Sequence, residues 1–544
     1  MKRKGFTLIE LLAVIVILAI IAVIATPIII GIVENARKDA FQRSVELVVS
    51  ATDININDKA YEEEYTYTIM NGVISDNVAV NNTEGMNGSI IYDIEGNVKY
   101  SIHNEKWCVT KDDSGVTSIT DYDGSICQLG SLSGDSCYVT EDLENGGVAI
   151  VGYLCEETDI TIPDTINDKV VKAISGDAFN GFRIPNKLTS VKLPDSLESI
   201  GEYAFAYNNL SGELDLSNTQ LTSIGDDAFS NIEITSVKLP DSLESIGEDA
   251  FRYNKLSGEL DLSNTQLTSI GSSAFVGSDD GSKNQITSVK FPDSIESIGE
   301  YAFEYNKLSG ELDLSNTQLT SIGSSAFASS YDGSTNQITS IKFPNSLEII
   351  EGSAFDSNKL SGELDLSNTQ LTSIGSFAFY DNQITSLKLP NSIESIDNAA
   401  FQYNNLSGKL DLSNTQLTSI ESSAFSNNQI TSLKLPNSLE SINYYAFYRN
   451  RLSGELDLSN TQLTSIGYDA FSSYTDAIEN QITSLKLPNS VTSIGHSAFR
   501  YNILESVTFY GRSNLDGITL GENVWGWGTG HDETNSIFFS NTVE

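Results

Sequence analysis

Basic side chains are scarce in this chain: 31 Lys and Arg stand against 73 Asp and Glu, giving a formal net charge of -42. Phosphate backbones are held by clustered cations, so nucleic-acid binding is excluded as the main activity. Histidine is scarcer still. The three, His103, His496 and His531, fall in different segments, and no Ser-His-Asp, Cys-His or metal-ligand spacing stands out. The chain therefore reads as a non-enzyme, with no cofactor and no metal site. Cysteine is limited to Cys108, Cys127, Cys137 and Cys155, all ahead of the regular repeats. Three pairings are open, with free buried thiols as the alternative. Pairing Cys108 with Cys127 and Cys137 with Cys155 keeps each bond within one compact segment, and such bonds form after export.

Charge is also missing from Leu11 to Val33, an apolar run long enough to span a bilayer. The cluster Lys2-Arg3-Lys4 ahead of it holds the N-terminus in the cytoplasm and predicts export of everything after Val33. An ordinary secretory signal is shorter and ends at small residues, whereas this run continues into charged, helix-compatible sequence. Glu10 stands at its edge, where an ionised carboxylate is costly unless a positive group reaches it. Pro27 removes one backbone donor within the run. Beyond it, Phe41, Val45 and Val48 keep helical spacing to about Thr52, which predicts an amphipathic stem.

The string Gly5-Phe6-Thr7-Leu8-Ile9-Glu10, after a short basic leader and before a long apolar segment, resembles the class III signal of type IV prepilins. The resemblance implies cleavage by prepilin peptidase between Gly5 and Phe6 and N-methylation of Phe6. It also implies pairing of Glu10 with such an amine on a neighbouring subunit, and a filament-assembly role for the segment that contains Pro27. A plain, uncut membrane anchor is the competing reading.

From about residue 53 to residue 130 the pattern changes to short alternating stretches such as Gly88 to Ile94 and Asn97 to Ile102, which read as antiparallel hairpins of a small head. Asp121, Asp123 and Gly124 form a DxDG string without the downstream acid of a calcium loop, so a solvated turn is the simpler reading. The Gly- and Ser-rich residues 131–136 read as a joint.

Repetition dominates the rest. LSGELDLSNTQLTSIG begins at Leu210 and recurs nearly intact at Leu256, Leu308, Leu360, Leu406 and Leu452, a period of 46 or 52 residues. Each period splits into half-units of 24 and 22 residues, some enlarged by six residues at one constant place after the Ala-Phe pair. Inward pairs such as Leu214 with Leu216 and Val237 with Leu239 predict short strands stacked into a parallel sheet. The outward residue between them alternates between Lys and Asp along the array, as at Asp215, Lys238, Asp261 and Lys290, a ladder that reads as structural.

Three further columns recur. Tyr207, Tyr253, Tyr305, Tyr403 and Tyr501 form the candidate binding surface, against the simpler reading of a partly buried packing ladder. Glu198, Glu244, Glu296, Glu348, Glu394 and Glu440 lie too far apart, at roughly 10 Å, to share one metal ion. Asparagines such as Asn208, Asn254 and Asn306 precede the leading Leu or Ile by two residues and read as turn caps. Strings such as NQITSLKLPNSLESINYYAF and DITIPDTINDKVVKAISGDAF resemble the BspA-type leucine-rich repeats of bacterial surface proteins over about residues 137–510. That resemblance implies a surface-exposed binding module and leaves its ligand open. The final segment, with Trp525, Trp527 and His531, reads as a cap, and an aromatic ligand site is the lesser reading.

The expected fold is α+β: a long N-terminal helix with a small antiparallel β head, followed by a leucine-rich-repeat solenoid with a parallel β-sheet. The expected domains are a leader (1–5), a hydrophobic and amphipathic helix (6–52), the head (53–130) and the joint (131–136). They continue with a solenoid cap and first repeat (137–187), the repeats (188–503) and a C-terminal cap (504–544). The expected function is a minor or tip pilin whose solenoid adheres to a host, microbial or matrix surface. A major filament subunit coated by the solenoid and a pseudopilin of a secretion or DNA-uptake machine are the alternatives. Its expected partners are other pilin subunits, prepilin peptidase, the cytoplasmic membrane before assembly and a surface ligand. The expected location afterwards is an extracellular filament or the cell surface.

Overall fold

The structure is a computed structural model that describes residues 37–38, 40–52, 65–70, 73–75, 85–92, 98–104, 106–111, 117–121, 127, 134–144, 146–184, 186–473 and 479–540. The chain divides into two compact units, Met1–Glu156 and Glu157–Glu544.

In the first unit, residues 40–52 form a helix whose Phe41, Val45, Val48 and Val49 are buried on one face, as their spacing of three and four residues dictates. These side chains share a core with Tyr67, Ile69, Ile90, Ile102, Trp107 and Val109, and the Phe41 and Trp107 rings lie 6.0 Å apart. The second half of that core comes from a six-stranded antiparallel sheet. Its strands, in spatial order, are Val73–Ile74, Tyr65–Met70, Asn87–Tyr92, Val98–His103, Trp107–Lys111 and Thr117–Asp121. Alternation supplies its apolar face, as with Tyr67 and Ile69 or Tyr100 and Ile102. A further antiparallel hairpin, Tyr138–Asp142 with Val148–Tyr153, belongs to the same unit.

The α+β expectation is corrected here. The described chain is nearly all β, with the short helix over residues 40–52 and a β-solenoid of about 16 turns. The class follows the repeats, whose two-residue periodicity governs most of the length. No long N-terminal helix is seen, and the part expected over residues 6–36 lies outside the described residues. Among the described residues no helix is long and apolar enough to cross a membrane.

In the second unit each half-unit makes one coil with three sides. The Ser-Ile side builds the continuous parallel ladder, from Lys169–Ile174 through Ser223–Ile224 to Ser395–Ile396, and again from Ser419–Ile420 to Thr519–Leu520. The Leu side departs from the expected continuous sheet: Ser211–Asp215 pairs with Glu233–Lys238, Ser257–Asp261 with Gln285–Lys290, and so on in twos until a final four-stranded set of Ser453–Asp457, Gln481–Leu487, Ser506–Tyr510 and Ile537–Ser540. Gly212 and its equivalents make each pair irregular. At φ 79° Gly212 takes a left-handed turn inside its strand, and the register shifts between Gly212 and Glu213. The doubled sequence period is thus a period of strand pairs.

The third side is made by the Ala-Phe turns. Phe205 N–H donates to the Ala228 carbonyl at 2.8 Å, and Phe229 N–H to that of Ala250 at 2.9 Å, so this side also forms a ladder. Its phenyl rings stack through the core from Phe179 and Phe205 to Phe471 and Phe499, ending on Trp525. Typical neighbours, Phe327 and Phe355, have centroids 5.4 Å apart and planes 2° from parallel. A buried asparagine stitches most coils together. Asn208 donates to the Phe205 carbonyl of its own turn at 2.9 Å, as a cap does, and also accepts from Leu188 N–H at 2.8 Å and donates to the Phe179 carbonyl at 2.7 Å in the preceding coil.

Candidate interaction surface

Gly5, Phe6, Glu10 and Pro27 lie outside the described residues, as do Asp123 and Gly124 of the DxDG string. Cys108 is joined to Cys127 and Cys137 to Cys155 by disulfides. The Glu column is carried on the outside of the Ser-Ile ladder: Glu244 N–H donates to the Thr222 carbonyl at 2.9 Å, and Thr268 N–H returns to the Glu244 carbonyl at 3.0 Å. Its carboxylates are mostly exposed. On the Leu side, Lys290 Nζ reaches Glu259 at 2.6 Å and Asp261 at 3.4 Å, and Lys342 repeats this with Glu311 and Asp313. The outer lysines of that face are mostly spent in intramolecular pairs, which leaves little free positive charge there.

The turn side is different. In each coil the residue before Ala-Phe, and in many coils the residue two after Phe, adopts a left-handed backbone, as at Tyr301 (φ 57°) and Tyr305 (φ 56°) around Ala302-Phe303. Asn, Asp and Gly take this conformation most readily, and Asn231 and Asp381 occupy it in sister coils. Tyrosine there is strained, and it fills the second position at Tyr207, Tyr253, Tyr305, Tyr403 and Tyr501.

The five tyrosines do not form one surface. Tyr207, Tyr253 and Tyr305 are half-buried. Tyr207 packs on Phe182 at 4.7 Å, and the Arg252 guanidinium lies 4.4 Å over the Tyr253 ring while donating to its hydroxyl at 2.7 Å. Tyr305 donates to Glu304, whose carboxyl is pushed up to about 7 by burial, with the charges of Asp356 and Glu300 adding to it. Tyr403 and Tyr501 are exposed; Tyr501 lies under the Arg500 guanidinium at 4.5 Å.

Tyr403 belongs instead to an aromatic band that sequence reasoning missed. It meets Tyr380 at 5.4 Å, edge to face, and Tyr380 meets Phe377 at 5.5 Å. Farther along, Tyr445 contacts both Tyr448 and Tyr468 at 5.3 Å, and the His496 ring stacks on Tyr468 at 5.3 Å. Tyr444 beside them is 60% exposed and Phe377 42%. Burial, then a hydrogen bond with Tyr468, raises the Tyr445 hydroxyl to about 12, so it stays a neutral donor and acceptor. The signal was available: these residues sit in the variable positions around Ala-Phe, where sister coils carry Ser, Asp or Asn. Edge-to-face rings with free edges form a rigid platform that supplies apolar contact and hydrogen bonds together.

A coiled array of short parallel strands, a stacked phenylalanine spine and an asparagine ladder define a leucine-rich-repeat solenoid. The family profile described as BspA type Leucine rich repeat region matches residues 172–280, 281–407, 331–453 and 409–519. The chain belongs to that family. Residues 1–26 match the prokaryotic N-terminal methylation motif, so the chain joins a prepilin-type N-terminus to BspA-type repeats. No curated protein matches it. Among solved structures it is similar to a leucine-rich repeat protein from Bacteroides ovatus, at 21% identity over 72% of this chain and 90% of that one, with a TM-score of 0.41. A leucine rich cell surface protein from Faecalibacterium prausnitzii is 18% identical over 73% of this chain and 96% of that one, with a TM-score of 0.31. The pneumococcal vaccine antigen PcpA is 19% identical over 75% and 97%, with a TM-score of 0.31.

Proposed function

We propose that this is an exported, surface-displayed pilin-like protein, cut by prepilin peptidase after Gly5 and displayed through its N-terminal segment, with the solenoid as its adhesive part. The methylation motif over residues 1–26 supports the processing step. Two disulfides in the chain suit an oxidising exterior. A minor or tip position in a filament accommodates a solenoid of this bulk more easily than a densely packed shaft does.

The observation that carries the adhesive half of the reading is the pair of aromatic clusters on the turn side, Phe377 with Tyr380 and Tyr403, and Tyr445 with Tyr448, Tyr468 and His496. Several of these rings hang from left-handed backbone that a smaller residue fills at lower cost, and strain retained at an exposed position points to use. The test compares cell-surface or matrix retention of the full-length protein with that of Tyr444→Ala/Tyr445→Ala/Tyr468→Ala. Retention within twofold of the parent sinks the aromatic-band assignment. Replacing Gly5 with a bulky residue tests processing separately: unchanged mature size and localisation would count against the pilin reading. Antibody against the solenoid then locates it, and regular decoration along filaments would count against the tip position.

A further inference from the structure

On the turn side, the two residues that follow each spine phenylalanine form parallel columns. Bonds between coils hold them in step, as from Ser357 N–H to the Tyr380 carbonyl at 2.9 Å and from Asp381 N–H to that of Gln402 at 3.0 Å. From Phe355 to Tyr403 an acid is followed by a ring one coil on in both columns: Asp356 by Tyr380, and Asp381 by Tyr403. The two rings meet edge to face at 5.4 Å, and Phe377 meets Tyr380 at 5.5 Å. Tyr331, 86% exposed on its inserted loop, stands near the Tyr380 hydroxyl. On the Leu side, acids such as Glu259 and Glu311 are neutralised by lysine, but among the described residues no ion pair includes Asp356, Asp381 or Glu304. Burial pushes the Asp356 carboxyl up to about 6, with the Asp381 charge adding to it. Arg449, in the same column as Tyr403 and two coils on, is spent on Glu479 at 3.0 Å. An earlier coil shows what such a place holds. The Arg252 guanidinium pairs with Asp249 at 3.0 Å and lies over the Tyr253 ring at 4.4 Å, and Arg500 lies over Tyr501 at 4.5 Å. The coils from Phe355 to Tyr403 keep acids and tyrosines but carry Asp356, Tyr380 and Gln402 where Arg252 and Arg500 stand.

We propose that this acid-and-tyrosine surface binds an extended, arginine-bearing peptide segment of a partner protein. Its charge demands a cation, because carboxylates gathered without counter-charges repel one another until a positive group reaches them. The rings favour guanidinium over the more strongly hydrated ammonium of lysine, since a planar cation stacks on an aromatic face while its edge bonds carboxylate. Length separates a peptide from a small cation. From Glu304 to Tyr403 the surface runs four coil steps, roughly 20 Å, which is the reach of about six extended residues. The inference rests on the adhesive reading only in taking the Phe377, Tyr380 and Tyr403 cluster as a contact surface.

The test titrates full-length protein into fluorescently labelled hexapeptides of alternating Arg and Gly, Lys and Gly, or Glu and Gly, reading anisotropy, with spermine as a competitor. The arginine peptide should bind saturably, about threefold or more tighter than the lysine peptide, and the glutamate peptide should not bind. Tyr380→Ala/Tyr403→Asn installs the residues that Ala328 and Asn427 provide at the same positions of sister coils, so the fold is kept, and affinity should fall about fivefold or more. Asp356→Asn/Asp381→Asn should weaken binding as much. A net charge of -42 attracts any polycation, so Glu244→Gln/Glu296→Gln, which removes two charges from the Ser-Ile side, is the control and should stay within about twofold. The proposal is overturned if the arginine peptide does not saturate, if the tyrosine variant binds like the parent, if the control falls as far as the aspartate variant, or if spermine binds as tightly as the peptide. Peptide binding that fails while surface retention still depends on Tyr444, Tyr445 and Tyr468 removes this inference and leaves the adhesive reading. Peptide binding without that dependence does the reverse.

Discussion

The side-chain amide of Asn306 donates to the main-chain carbonyl of Phe275, 31 residues earlier, at 2.8 Å. On its other side Asn306 accepts from Ile286 N–H at 3.0 Å, so one buried side chain closes two polar groups of the coil before it. Asn306→Ala leaves both in a dry interior. At about 1–3 kcal/mol for each buried group left unpaired, the loss should be about 2–6 kcal/mol. Solenoid coils couple chiefly to their neighbours, so hydrogen exchange should show the loss concentrated around residues 275–310. Uniform exchange along the array would contradict the local role.

Phe355 lies between Phe327 at 5.4 Å and Phe379 at 5.5 Å, with Phe343 meeting its edge at 5.9 Å. It is fully buried. Phe355→Ala should cost about 3–5 kcal/mol, the sum of lost burial and an unfilled cavity. Phe355→Leu retains more volume and should cost clearly less. Denaturant unfolding compares the two, and equal losses would contradict this burial-and-cavity account of the spine.

How much of this was readable from the sequence depends on the column. Leu214, Leu216, Ile224 and Phe229 announce buried positions by recurrence alone, and all four are buried. Asn208 and its kin were visible as a column of turn caps, but their further partners sit in the preceding coil, and recurrence does not reveal a contact across coils. The left-handed positions were hidden because Ser273, Asp249 and Tyr301, rather than glycine, occupy them. Gly212 hid the irregular register within each strand pair, since a glycine inside an otherwise regular strand does not announce its φ. The aromatic band escaped for a related reason: Phe377, Tyr380 and Tyr468 recur at no fixed interval, and only coiling brings them side by side.

Burial pushes the Glu304 carboxyl up to about 7 and that of Asp356 up to about 6. An acid with a raised folded pKa binds more protons folded than unfolded. Its site is therefore most stable below the unfolded values, 4.5 for Glu and 3.8 for Asp, and loses stability as pH climbs to the folded ones. The outer aspartates work in the opposite sense. Hydrogen bonds from Ser263 and Ser315 hold Asp261 and Asp313 low, so they stay ionised above about pH 5 and do not obscure the window. Unfolding midpoints should fall between about pH 5 and about pH 8, and Glu304→Gln/Asp356→Asn should flatten that slope. An unchanged slope in the double variant would refute the assignment.

Lys409 breaks the outer charge pattern. Five sister copies place glutamate there, Glu213, Glu259, Glu311, Glu363 and Glu455, each within 3.1 Å of the lysine one coil on. Lys409 instead takes Asp411 at 2.7 Å, the acid that the aligned Lys434 would otherwise share. Two lysines then compete for one carboxylate. Lys409→Glu restores the arrangement of the other copies, with two acids facing Lys434, and should raise the unfolding temperature slightly at low salt. Because every group involved is at the surface, screening over a Debye length of about 3 Å should abolish the gain near 1 M salt. A gain that persists in high salt would mean that the substitution acts through strand packing rather than charge.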